Sequence, residues 1–280
     1  LRPLALMLLL TLTPPAFASP ALAATGVPSL DFAEHMSSIE PAFAALEIER
    51  FLDLNPDHPL AESAREQLVS LYLAQKDWFK AQRQMQTLLA KAPAASKARW
   101  SLQLAHLQEL KGWPDLARSE YERLATVPGV ETPALRHLLG LEIRARHWDA
   151  AAQAAERLPS TPHSQALAVS LRAWRERPSL SAEHAQRLST WLPGAGQIYA
   201  GDWGSGIASF TLNAAWVGLL SYAIADRDWL GGLLVANFGP RYYLGGIQNA
   251  GNLVDSKHSR EDQTYIRSLE QEYADLFPLR

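Results

Sequence analysis

Leu192-Pro193-Gly194-Ala195-Gly196-Gln197-Ile198-Tyr199-Ala200-Gly201 divides this chain into two unlike parts. Before it run polar, amphipathic segments broken by prolines. After it lies the most apolar sequence beyond residue 23. Pro193 ends the preceding helix, and Gly194 and Gly196 permit a tight turn with positive φ. Gln197 can bond backbone groups left open where the chain changes environment. Tyr199 and Trp203 suit a headgroup layer, where amphipathic rings sit. Gly201 closes the stretch. A phosphate-cradling loop is the competing reading. It fails on context: no strand pattern precedes the glycines, and no Lys-Ser/Thr pair follows them.

Downstream, Trp203 to Ala225 is 23 residues without a charge, bracketed by Asp202 and Asp226. At about 1.5 Å per residue, such a helix spans a hydrocarbon layer of about 30 Å. Gly204 and Ala208, and Ala214 and Gly218, lie four apart and allow close helix packing. Trp229 to Pro240 is again uncharged, Arg241 interrupts, and Tyr242 to Val254 runs uncharged to Asp255. A returning helix from Trp229 to about Gln248 carries Arg241 at depth, which costs about 2.5–3.5 kcal/mol on the lenient scale. Arg241 is an intramembrane candidate with two open roles. It snorkels to the interface, or it faces a protein- or water-lined interior where Pro240 bends the helix. The rival reading of these segments, core helices of a soluble protein, suits a 12-residue run better than one of 23. The tail, 256–280, is charged, with a stripe of Ile266, Leu269, Tyr273 and Leu276.

Upstream, apolar periodicity and proline stops predict helices over Glu34–Leu54, Leu60–Gln75, Trp78–Lys91, Lys97–Leu110, Pro114–Ala125, Pro133–Arg146, Trp148–Leu158, His163–Arg175 and Glu183–Leu192. Trp78, Trp113 and Trp148 recur every 35 residues. Ala81 and Ala151 follow their Trp by three, with Leu116 in the middle unit. The segments 75–81, 111–117 and 145–151 align without gaps. This resembles the tetratricopeptide repeat, whose helical hairpins recur about every 34 residues, over roughly 35–178. Two features depart from that family. Glu142 stands where an aromatic is usual, and the small residue expected in each first helix is Val69, Leu104 or Leu139. Stacked hairpins of this kind leave a concave groove, so the resemblance implies a protein or peptide partner. Polar residues such as Arg65, Gln103 and Arg136 are expected to face that groove.

The opening stretch resembles the P-G-x-G-Q-x-Y-x-G signature of the small bacterial two-transmembrane-helix domain family. Tyr243-Leu244-Gly245-Gly246-Ile247-Gln248-Asn249-Ala250 is similar to the run that closes several such domains. This resemblance covers about 190–255. It implies a membrane helix hairpin and brings no catalytic residues.

The N-terminus reads as a signal peptide over 1–23. Arg2 precedes an apolar run from Leu4 to Leu12, Pro14-Pro15 follows, and Ala16-Phe17-Ala18 and Ala21-Leu22-Ala23 fit the small-x-small pattern. Export places the repeats outside the cytoplasm, although Arg227 is the lone basic residue of the inner turn while Lys257 and Arg260 flank the second span.

A net charge of −3 argues against nucleic acid. Zero cysteines exclude disulfides, thiolate metal sites and a cysteine nucleophile. The eight histidines show no metal spacing, and no G-x-S-x-G elbow occurs. No cofactor motif is present. The expectation is therefore an all-α chain: a signal peptide at 1–23, a tetratricopeptide-like α-solenoid at 35–180, a C-terminal membrane helix hairpin at 190–255 and an amphipathic tail at 256–280. Its motif residues Pro193, Gly194, Gly196, Gln197, Tyr199 and Gly201 are structural. The expected role is a non-enzymatic, membrane-anchored scaffold of the bacterial cell envelope, with protein partners, membrane lipid and other membrane proteins as its contacts. An accessory factor for membrane-protein assembly or transport is the first alternative. An enzyme without a recognisable motif is the second.

Overall fold

A computed structural model describes residues 26–277. The expected signal peptide lies outside the described residues. Those residues are all-α, with thirteen α-helices in sequential pairs. They are α1 (Pro28–Ser37), α2 (Pro41–Leu54), α3 (Ala61–Ala74), α4 (Trp78–Lys91), α5 (Ala94–Leu110), α6 (Pro114–Leu124), α7 (Glu131–Arg144), α8 (Trp148–Arg157), α9 (Pro162–Glu176), α10 (Ala182–Trp191), α11 (Ala195–Ala200), α12 (Trp203–Ala225) and α13 (Trp229–Glu272). A short 3-10 turn, Ala274–Leu276, follows. The described residues fall into two compact units, one up to Arg172 and again from Tyr273, the other Ala173–Glu272.

In the first unit, α1 packs on α2, α3 on α4, α5 on α6 and α7 on α8, and successive pairs meet through α2–α3, α4–α5 and α6–α7. The same turn closes the last three pairs. Lys76, Gly112 and Arg146 take positive φ (59°, 80° and 62°). Each is followed by a residue whose N–H reaches back five positions: Asp77 to the Tyr72 carbonyl, Trp113 to Gln108, His147 to Glu142. This is the Schellman arrangement, which satisfies the orphan carbonyls at a helix end. Glycine takes that conformation freely only in the middle unit; lysine and arginine take it elsewhere at some steric cost.

The structure also settles the phase of the repeat. Ala81, Ala117 and Ala151 are the fully buried small residues of the second helices. Leu116, three after Trp113, is exposed. The reason is Pro114. It takes the first helical position of α6, where its missing N–H is no loss, and so pushes Trp113 back into the cap. The repeat is therefore kept by helix start rather than by tryptophan. Trp113 is half exposed as a consequence.

One predicted helix is two. Glu34–Leu54 breaks after Ser37 and restarts at Pro41. Pro41 has no N–H for the turn before it and its ring crowds that turn. The apolar stripe expected over this span is likewise split. Ile48, Phe51 and Leu52 are buried, while Ile39, Phe43 and Leu46 are exposed.

The core of the early hairpins contains Ile48, Leu68, Tyr72, Met85, Leu88, Trp100 and Leu107. Each such side chain contributes about 1.5–3 kcal/mol by leaving water. Tyr72 and Tyr121 are fully buried, with hydroxyls on Glu49 and Glu109. Burial and then the neighbouring carboxylate push both phenols up, so each stays a donor.

In the second unit, α13 packs on α10, α11 and α12, and α11 packs on α10 and α12. Its small core is Ala185, Ala200, Ala250 and Val254. Residues 256–272 of the expected separate tail are the C-terminal part of one 44-residue helix, α13. Within it, Asp262 accepts from Trp174 Nε1 and from Arg177, each at 3.1 Å. Tyr265 stacks on Trp174 at 3.9 Å. Leu269 of the expected stripe is buried here, and Tyr273 and Leu276 are buried in the first unit.

Candidate functional site

The opening motif forms α11 and both its caps. Gly194 (φ 95°) starts it and Gly201 (φ 97°) ends it, both left-handed. A Cβ on Gly194 would collide with the Gly206 carbonyl, and one on Gly196 with the Ala185 carbonyl. Both glycines thus hold backbone against backbone. Gln197 is 1% exposed. Its Oε1 accepts from Ser189 Oγ at 2.9 Å, and its Nε2 donates to the Gly246 carbonyl at 2.8 Å. Ser189 Oγ in turn accepts from Gly196 N at 3.0 Å. Tyr243 donates to the Thr190 carbonyl at 2.6 Å, and Tyr199 Oη accepts from Ser181 N at 3.2 Å. The motif is a clamp joining α10, α11 and α13. Both amide ends of Gln197 are occupied inside it.

The clamp presents a hairpin. Asp202 caps α12 through Ser205 N at 2.9 Å and Asp228 caps α13 through Gly231 N at 3.0 Å. The Ser205 backbone and hydroxyl hold Asp202 below its ordinary range. Arg227 (φ 58°) turns the chain between the helices with the same Schellman bonds as the repeats. Trp216 Nε1 donates to the Val235 carbonyl at 2.8 Å, in the turn preceding Pro240. Its ring occupies the space a side chain on Gly239 would need. Pro240 sits inside α13 without ending it, and Arg241 beside it is exposed.

Among the described residues, α12 is the one helix long and apolar enough to cross a membrane, and only 11% of that window is buried. Ile207, Phe210, Leu212, Val217, Leu219 and Ile224 face outward, as do Leu230, Leu233, Leu234, Phe238 and Leu244 of α13. A soluble monomer seldom exposes a contiguous apolar patch above a few hundred Å². A soluble core helix would be mostly covered.

A second constellation lies in the repeats. Glu109 of α5 receives Arg144 on Oε1, and the Tyr121 hydroxyl on Oε2 at 2.9 Å. His106 and His137 each place Nδ1 3.7 Å from the same Oε2. Burial alone pushes the Glu109 carboxyl up; His106, His137, Arg144 and Tyr121 together outweigh it and hold the group far below the usual range. Burial pushes His137 below its ordinary 6.5, against the pull of Glu109. Beside it, Glu142 is 2% exposed and accepts from Arg118 Nε at 2.5 Å, with His147 Nδ1 at 2.7 Å. The residue that departs from the repeat family thus has its charge paired. Of the polar groove candidates, Arg65 donates to Gln84 at 3.2 Å. Gln103 Oε1 and Arg136 Nε are buried without a hydrogen bond.

The motif glycines and Gln197 are legible in the sequence. The Glu109 cluster is not. His106 and Glu109 show only an i, i+3 spacing, and His137 lies on another helix.

These features define an all-α protein of consecutive antiparallel helix pairs, consistent with repeat hairpins, carrying one long apolar helix. No family model matches the chain, and no curated protein matches it.

Proposed function

We propose that this protein is an exported, membrane-anchored helical-repeat scaffold of the bacterial cell envelope. Its tetratricopeptide-like hairpins bind a protein or peptide partner, and α12 with the apolar part of α13 forms the anchor. The observation that carries this reading is the outward apolar surface of α12 and α13. Lipid is the solvent that makes such a surface favourable. The backbone there is fully helical, as a bilayer requires. Polar side chains of α12 are satisfied within the hairpin: Asn213 donates to the Ser209 carbonyl and Ser221 to Val217, each at 2.8 Å, and Trp216 to Val235 of α13. Arg241, exposed on α13, is left to snorkel toward headgroups. The repeats, with no apolar span of their own, supply the water-facing part.

Fractionation tests the reading. The full chain is expected in the membrane pellet after alkaline carbonate washing, and a chain ending before residue 190 in the supernatant. A full chain that is soluble and monodisperse without detergent rejects the anchor. Crosslinking in intact membranes then finds the partner; adducts confined to the hairpin rather than the repeats would point to the accessory-factor role instead.

A further inference from the structure

His106 and Glu109 lie three residues apart on α5 and so share a face. His137 comes from α7, and its ring stacks on Tyr121 at 5.0 Å. The ligand atoms of His106, Glu109 and His137 all lie within 4.8 Å of one another. The two Nδ1–Oε2 separations, 3.7 Å each, exceed hydrogen-bond reach. They lie close to the separation of two ligands sharing a tetrahedral ion, whose bonds of about 2.1 Å place N and O about 3.4 Å apart. From the 4.8 Å bound, completing the set needs the widest pair to close by at most about 1.4 Å. His137 is 8% exposed, and its Nδ1 is buried without a hydrogen bond.

The surroundings suit a metal. Tyr121 donates to the carboxylate oxygen that faces both histidines, and Arg144 holds the other. Outer partners of this kind orient a ligating carboxylate. Arg144 opposes a cation by its charge, but it stays on Oε1, the oxygen turned away from the histidines, with a side chain 38% exposed where solvent weakens that repulsion. Two imidazoles and one carboxylate select a borderline transition ion over calcium or magnesium.

We propose that His106, Glu109 and His137 form a binding site for one divalent transition-metal ion of the zinc class, with water as the fourth ligand. The site lies within the hairpins and is independent of the membrane reading. Its ion would add a bond between α5 and α7, helices of adjacent repeats already joined by the Glu109–Arg144 ion pair.

The test uses tag-free full chain, stripped with chelator and titrated with Co²⁺ and then Zn²⁺. Expected are visible d–d bands of four-coordinate cobalt, displacement by one equivalent of zinc, and a zinc-dependent rise in Tm. Tyr121→Phe should weaken zinc by about 10–100-fold, as loss of an outer partner does. His137→Gln, His106→Gln and Glu109→Gln should each weaken it more than that. His163→Gln, at an exposed histidine elsewhere, should bind as wild type. Helicity by circular dichroism confirms that each variant folds; the wild-type spectrum decides the matter even if one does not. No cobalt bands and no zinc-dependent Tm change in the wild type overturn the proposal, leaving Glu109 a charge-pairing hub. Binding unaltered in the ligand variants overturns it too.

Discussion

Gln197 Nε2 donates to the Gly246 carbonyl oxygen at 2.8 Å, across 49 positions of sequence. With Ser189 on its other end, one buried amide joins three helices. Gln197→Ala strands a buried hydroxyl and removes that joint. We expect a loss of about 1–3 kcal/mol, read as a lower Tm in detergent. Ser189→Ala should cost less, and the double variant less than the sum, because the two residues act as one unit.

Glycine at 196 is required by space. Gly196→Ala drives a Cβ into the Ala185 backbone carbonyl, which has no side-chain freedom with which to yield. Overpacking of this kind costs about 1–3 kcal/mol. Gly218→Ala meets nothing within 4 Å and should leave stability unchanged or slightly raised. Limited proteolysis at α10–α11 distinguishes the two; equal resistance would count against a close helix contact at Gly196.

Leu219 is exposed on α12. Leu219→Asp should lower membrane integration, since a carboxylate near the centre of a span costs about 2.5–3.5 kcal/mol. Carbonate-resistant pelleting that matches wild type would argue that α12 is not in lipid.

Glu142 holds Arg118 and His147 from a nearly closed site. Glu142→Ala leaves Arg118 without its main partner. Because Arg118 is partly exposed and keeps Asp115 at 2.8 Å, the expected loss is about 1–3 kcal/mol rather than the full cost of a buried orphan charge. Urea unfolding of the repeat unit measures it.

Acid should weaken the chelated-out protein in two stages. His137 has a folded pKa below its ordinary 6.5, so the unfolded chain takes up its proton first. Its contribution is full above that value and is lost as pH falls below it. Glu109 is also held down in the folded state. Its contribution is full above the usual carboxylate range and is lost as pH falls through and below that range. Tm against pH should therefore drop below about pH 6.5 and again in the carboxylate range. His137→Gln should flatten the first drop and leave the second.

Helix positions could be read because apolar periodicity and prolines are local signals. Trp78–Lys91 and Trp203–Ala225 were predicted to the residue. Local signals also misled. The stripe from Ile39 to Leu52 ran through Pro41, and Trp113 kept an attractive spacing while Pro114 had already moved the helix start. The tail was expected as its own element because charge begins at Asp255, but helix propagation ignores a change of side-chain polarity so long as backbone bonds continue.

By itself, the sequence determined an all-α chain of paired helices, a glycine-bounded break at 194–201, and an apolar segment of 23 residues. Each follows from neighbours within a few positions. Only the tertiary structure decided what Gln197 joins, why Gly196 admits no side chain, and which repeat position is buried. It alone brought His106 and Glu109 to His137. Those relations depend on which faces of distant helices meet. Such meetings are set by packing in three dimensions, which a one-dimensional spacing of histidines does not record.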